Sequence, residues 1–208
     1  MADVEAVNYA LPDFIGFVFA EKSRRRIDAR TADALRDKLD ARIEVVGVFV
    51  NQEIEVVVEL YQKGVIDLAQ LHGDENDNYM ERLREQVDRR REAPLRIIKA
   101  VGVGDVLPAL PERADYLLFD TESEQRGGIG KTFSWRLLRD YHGPPYFLAG
   151  GLSASNAARA IRLLAPFCLD VSSGVETDGW KDADKIAAFV RIARGVNEHP
   201  GINEQTPL

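Results

Sequence analysis

Short apolar runs alternate with longer charged stretches along this 208-residue chain, and that alternation constrains its fold more than any single motif. The runs are FIGFVF (14–19), EVVGVFV (44–50), IDLAQL (66–71), LRIIKAV (95–101), DYLLFD (115–120), PYFLAG (145–150) and CLDVSS (168–173). Their near-continuous apolar character suits strands covered on both faces, as in a parallel sheet. The intervening stretches, such as ADALRDKLDA, QEIEVVVELYQKG, NDNYMERLREQVDRRRE, SASNAARAIRLL and DADKIAAFVRIARG, have helical spacing. Ser153 or Ser155 is placed to N-cap one helix, and Gly64 and Gly195 to follow helix ends. Repeated strand–helix units imply right-handed βαβ crossovers, closed either as an open doubly wound sheet or as a (β/α)8 barrel. Strand starts fall about 26 residues apart, as in the short units of a compact barrel. No break divides the chain into halves, and the spacing favours the barrel.

The count is one short of eight. The chain opens with a helix-like segment, ADVEAVNYA, and one further period before residue 14 falls upstream of Met1. The expected architecture is therefore α/β: a TIM (β/α)8-type barrel missing its first strand, with seven parallel strands and eight helices. A missing strand leaves two unpaired edges, which favours homo-oligomers. Residues 1–196 are expected to form one barrel domain and 197–208 a polar tail.

Composition narrows the partners. With 34 acidic against 27 basic residues the net charge is −7, the wrong sign for a phosphate backbone, so nucleic acid is not expected as a partner. No apolar run approaches the roughly 18 residues of a membrane helix, and the N-terminus does not read as a signal peptide. These features predict a cytoplasmic protein that does not engage a membrane. The single cysteine, Cys168, excludes an intrachain disulfide and a thiolate metal cluster.

Glycines gather at the C-terminal ends of strands, the face on which barrel active sites lie. GGIGKTF (127–133), AGGLSASN (149–156) and SSGVETDG (172–179) are three such turns, suited to holding phosphate through backbone N–H groups. Neither a P-loop nor a dinucleotide fingerprint is present: Gln125 stands where the first P-loop glycine belongs, and GIGKTF lacks a third glycine. No nucleotide cofactor is expected. Asp120 ends its strand where a carboxylate can act as acid or base, or cap the next turn. Asp170 alternates toward the interior, to meet substrate or anchor a neighbouring strand. His72 follows its strand as a pocket wall or a cap. With His142 and His199 it shows no metal-ligand spacing, so no metal is expected. Arg24, Arg25 and Arg26 could grip a carboxylate or form a solvated face, whereas Arg89, Arg90 and Arg91 read as outer-helix charge. Cys168 begins its strand, which suits a core residue rather than a nucleophile.

Six segments in order, GFVFAEKSRR, VGVFVNQ, QLHGDE, LLFDTESEQRGGIGKTFSW, LAGGLSASN and DVSSGVETDGWKD, resemble the phosphoribosylanthranilate isomerases of tryptophan biosynthesis. The match runs from about residue 13 to 194. The resemblance implies a cofactor-free Amadori rearrangement of N-(5′-phosphoribosyl)anthranilate to 1-(2-carboxyphenylamino)-1-deoxyribulose 5-phosphate. It implies Asp120 as general acid, Arg25 at the anthranilate carboxylate, His72 in the pocket wall and Asp170 near the substrate amino group. It also implies a phosphate site from backbone around Gly128, Gly130, Gly150, Gly151, Ser173 and Gly174.

The family's first motif, Lys-Ile-Cys-Gly, carries the general-base cysteine on the first strand, and this chain has no counterpart to it. The expectation is an isomerase of that family, impaired or inactive in this form through a shortened start. The alternative is a non-catalytic pseudo-enzyme that binds phosphorylated ligands or a protein partner. A different phosphosugar isomerase on the same barrel fits QLHGDE and GGIGKTFSW less well.

Overall fold

Runs of Val, Ile, Leu and Phe leave a strand no polar face, so each must be covered on both sides. A computed structural model describes residues 2–87, 94–121 and 133–198, with side chains through Gly195. Seven strands, β1 (Phe14–Val18), β2 (Glu44–Phe49), β3 (Leu68–Leu71), β4 (Arg96–Val103), β5 (Tyr116–Thr121), β6 (Tyr146–Leu148) and β7 (Cys168–Leu169), form one parallel sheet in chain order. The ring of Phe14 on the first strand meets that of Phe147 on the sixth edge-on at 5.5 Å, so the sheet curls upon itself. Among the described residues, β2 is the one strand beside β1, whose Val18 also makes an isolated bridge to Arg26, and β6 is the one strand beside β7.

The curl creates three apolar layers. Every strand contributes to the inner layer, through Phe14, Val46, Leu68, Ile98, Leu118, Phe147 and Cys168, with Ala100 of β4 and Tyr116 of β5 beside them. Outside β1–β4, buried side chains pack beneath α2 (Ala29–Arg36), α3 (Ile54–Gln62) and α4 (Asp77–Gln86). Outside β4–β7 they pack beneath α5 (Ala157–Leu164) and α6 (Ala183–Glu198). The opening helix, α1 (Ala2–Ala10), lies against α6, with Val4 and Val7 buried and Ala6 and Ala10 turned to the same outer layer. It covers the outside of the sheet.

Local sequence explains several boundaries. Asp28 caps α2 by accepting from the Thr31 N–H at 2.7 Å, and Asn76 caps α4 through the Tyr79 N–H at 3.0 Å. Gly64 follows α3 at φ +76°, where a side chain would be strained.

Three expectations are corrected. Among the described residues there are six α-helices rather than eight. The segment 104–115 carries Pro108 and Pro111, which remove backbone donors, and it runs without a helix. The β5–β6 connection has only a 3₁₀ turn, Trp135–Leu138, in its described part, and β7 leads to a 3₁₀ turn, Ser173–Val175. Gly195 sits inside α6 rather than after it. Neither serine caps α5: Asn156 occupies that position, while the Ser153 and Ser155 hydroxyls bond each other at 2.8 Å. Arg89–Arg91 and the tail from residue 199 lie outside the described residues.

Candidate active site

Period-two alternation carries the inner face upward past the apolar layer. Two residues beyond Leu118 comes Asp120, two beyond Cys168 comes Asp170, and Gln70 and His72 follow Leu68 in the same way. The structure thus brings three of the predicted residues, His72, Asp120 and Asp170, to one end of the curled sheet.

His72 Nε2 lies 3.7 Å from Asp120 Oδ2. The Gln70 side-chain amide donates to His72 Nδ1 at 2.9 Å. An amide nitrogen has no lone pair to accept with, so in this amide orientation neutral His72 carries its proton on Nε2, toward Asp120. Asp120 Oδ1 accepts from the Thr121 N–H at 2.7 Å. Burial pushes the Asp120 carboxyl above the usual carboxylate range, against the opposing pull of His72 and the Thr121 amide. Asp170 is pushed up to about 6 by burial and by the charge of Asp120, with Lys181 opposing. Both carboxyls are thus raised above the usual carboxylate range, which moves each toward the protonated form that a proton donor needs.

The glycine turns close around the same end. Gly150 and Gly151 have φ of +84° and +62°. A Cβ at Gly150 would stand 2.5 Å from Thr121 Oγ1 and 3.0 Å from Asp120 Oδ1, so only glycine lets this turn approach the acid. A Cβ at Gly174 would stand 1.9 Å from the Leu152 carbonyl oxygen, so the Ser173–Val175 turn packs backbone to backbone against the chain leaving Gly151. Four predicted phosphate-site residues, Gly150, Gly151, Ser173 and Gly174, therefore come together. Gly128 and Gly130 lie outside the described residues.

Arg25 has a partner that sequence reasoning missed. Its Nε and Nη2 donate to Glu176 Oε1 at 2.9 and 2.7 Å, Arg24 reaches Oε2 at 3.1 Å, and Lys181 Nζ donates to Oε1 at 3.1 Å. Glu176 begins the small hairpin of β8 (Glu176–Thr177) and β9 (Trp180–Lys181), so it ties the loop after β1 to the loop after β7. Burial would raise the Glu176 carboxyl, but hydrogen bonds and charges from Arg25 and Lys181 outweigh it and hold the group below the usual glutamate range. Glu75 and Lys99 were also missed, and they pair at 3.3 Å behind His72. The signal for Lys99 was a lone charge inside the apolar run IIKAV.

Cys168 stands in the lower, apolar layer beside Phe147. Burial first, then the charges of Asp170 and Asp13, push its thiol up to about 12, so it is not a thiolate at neutral pH. Among the described residues, no three His, Cys, Asp or Glu side chains are grouped to hold a metal ion, and no helix is long and apolar enough to cross a membrane.

Known proteins resemble this chain in sequence and in fold. Residues 1–192 match the family model described as N-(5′-phosphoribosyl)anthranilate (PRA) isomerase. The N-(5′-phosphoribosyl)anthranilate isomerase of Endomicrobium trichonymphae is 46% identical over 195 residues, covering 93% of this chain and 94% of its own. The crystal structure of phosphoribosyl anthranilate isomerase from Thermotoga maritima superposes with a TM-score of 0.78 at 33% identity, over 93% of this chain and 94% of that one. A phosphoribosyl anthranilate isomerase in complex with reduced 1-(o-carboxyphenylamino)-1-deoxyribulose 5-phosphate superposes at 0.74 with 32% identity, over 93% of both chains. With the family model spanning nearly the whole chain and a relative this similar end to end, the chain belongs to the N-(5′-phosphoribosyl)anthranilate isomerase family.

Proposed function

We propose that this chain binds N-(5′-phosphoribosyl)anthranilate and carries the acid half of its Amadori rearrangement in tryptophan biosynthesis. The observation that carries the reading is Asp120: a carboxyl raised by burial, facing His72, at the C-terminal end of a strand in a member of this family. Protonated Asp120 donates to the ribose ring oxygen, whose bond to C1′ breaks, and the nitrogen lone pair forms the C1′–N double bond. Removal of the C2′ proton then gives the enolamine, which ketonises to the product. Asp170 accepts from the substrate amino group, and Arg25, held on one side by Glu176, faces the anthranilate carboxylate. Backbone N–H groups around Gly150, Gly151, Ser173 and Gly174 hold the phosphate, together with Gly128 and Gly130.

The base half is weak in these 208 residues. The family's Lys-Ile-Cys-Gly motif is not among them, and the one thiol, Cys168, sits below the carboxylates with its proton firmly held. Loss of a general base typically lowers the rate about 10²–10⁴-fold. Among the described residues β7, and β1 apart from the bridge at Val18, have no second strand beside them, and such edges favour self-association. The test is a fluorescence assay of freshly generated phosphoribosylanthranilate with the chain as it stands and with a Lys-Ile-Cys-Gly-bearing strand fused ahead of it. Activity restored by the fusion and abolished again by Asp120→Asn supports the reading. A normal rate from the 208-residue chain refutes the missing-base argument. Failure of either protein to bind a reduced product analogue refutes the substrate assignment.

A further inference from the structure

Glu75 and Lys99 form the most deeply buried ion pair among the described residues, with side chains 1% and 9% exposed. A pair that costs so much desolvation calls for an account of what it holds. Lys99 Nζ donates to the carbonyl oxygens of Leu71 at 3.1 Å and Gly73 at 2.8 Å, the residues immediately before and after His72. Glu75 Oε2 accepts from the Gly73 N–H at 2.8 Å, and its Oε1 from the Asn51 N–H at 2.6 Å. The His72 N–H itself donates to the Phe49 carbonyl at 2.8 Å. Backbone groups on both sides of His72 therefore end on one ammonium and one carboxylate.

The neighbouring loop is fixed by the same pair. Asn51 has φ +52°, and its side chain exchanges two hydrogen bonds with Asp74: its oxygen accepts from the Asp74 N–H at 2.7 Å and its Nδ2 donates to Oδ2 at 3.1 Å. A Cβ at Gly73 would stand 2.4 Å from Asn51 Oδ1, so the two loops interlock at a glycine. Lys99 stands between inward-facing Ile98 and Ala100 and so points to the outer side of β4, reaching His72 through backbone alone.

We infer that the Lys99–Glu75 pair is a positioning element for the acid: by pinning the backbone around His72 it sets the approach of the imidazole to Asp120. His72 is the nearest ionisable partner of Asp120 from β3, Asp170 faces it from β7, and Lys181 stands behind Asp170. The interaction falls as the inverse of the 3.7 Å separation, so it is halved once the released imidazole stands about 7 Å away. The inference concerns the site of the proposed isomerase, but its readout needs no turnover, so it stands or falls apart from the activity.

The chain has three histidines, His72, His142 and His199, which makes imidazole NMR titration of the whole protein tractable. In the parent, Asp120→Asn is expected to lower the His72 midpoint by about one pH unit, since an opposite charge this close favours the imidazolium. In Lys99→Met, and in isosteric Glu75→Gln, the same Asp120→Asn step is expected to move His72 by less than about half as much, with His142 unmoved. Loss of stability alone would not produce that result, because the titration reads the folded fraction. A full-sized shift retained in either folded variant overturns the inference, as does no shift in the parent. Should neither variant fold, amide exchange in the parent decides: the Gly73 N–H is expected among the slowly exchanging amides, and fast exchange there overturns the clamp.

Discussion

Glu176 offers the sharpest test of how the two ends of the sheet are held together. Its carboxylate, 6% exposed, takes hydrogen bonds from Arg25 and Lys181, about 30% and 28% exposed, and from Arg24, 67% exposed. Glu176→Gln keeps the shape and one acceptor oxygen but removes the charge that three cations face. Breaking a fully buried pair costs about 3–5 kcal/mol, and a solvated one about 0–1 kcal/mol. One buried partner and three partly exposed ones place this substitution between those limits, at about 2 kcal/mol. For a chain of this length that is a fall of about 4–8 °C in Tm. The pH dependence supplies the discriminating signature. The folded-state carboxyl lies below its usual value of 4.5, so its contribution is complete above pH 4.5 and is lost as pH falls through the folded value. Urea unfolding followed by circular dichroism should therefore show parent and variant about 2 kcal/mol apart near pH 7, converging below pH 4.5. Equal stability near pH 7, or a gap that persists undiminished once the parent's Glu176 carboxyl is protonated, refutes the reasoning.

Asp170 should behave in the opposite sense. Its folded value of about 6 exceeds the usual 3.8, so its contribution is present below 3.8 and lost as pH rises through about 6. Asp170→Asn is thus expected to unfold like the parent in acid and to be more stable by about 3 kcal/mol near pH 7 in the same urea titrations. That gain should be accompanied by weaker binding of a reduced product analogue. Gly150→Ala forces a side chain into φ +84° and into Thr121 and Asp120, and calorimetry should record a loss of about 1–3 kcal/mol. In folded native protein, Cys168 should react with a thiol reagent near pH 8 on the order of 10³-fold slower than a free cysteine, and rapidly in urea. Fast labelling of the native chain would contradict its place in the inner apolar layer.

What could be read from the sequence follows from the range of the physics involved. The strands and the inward placement of Asp120 and Asp170 follow from runs of apolar residues with period-two alternation, information contained within each segment. The missing helices reflect Pro108 and Pro111, whose lost donors outweighed an expectation of one helix per strand. Gly195 looked like a helix stop because glycine costs about 1 kcal/mol in a helix interior, a sum that the packing of Ile186 and Phe189 on the same helix can offset. Glu176 and Arg25 are 151 positions apart, and nothing near either one specifies the other.

Lys99 marks the boundary between what is readable and what is not. A lysine between Ile98 and Ala100 in a strand covered on both faces is a signal on its own, because a buried ammonium must find acceptors. The sequence does not say which acceptors, and they prove to be backbone carbonyls flanking the histidine opposite the acid. The charge that looks out of place in the apolar pattern is thus the one that reaches the candidate site from outside the sheet. A lone charge inside a buried strand is best read as pointing to the backbone it must satisfy. In this chain that backbone belongs to the loop carrying His72, so the anomaly in the fold pattern and the geometry of the acid are one feature.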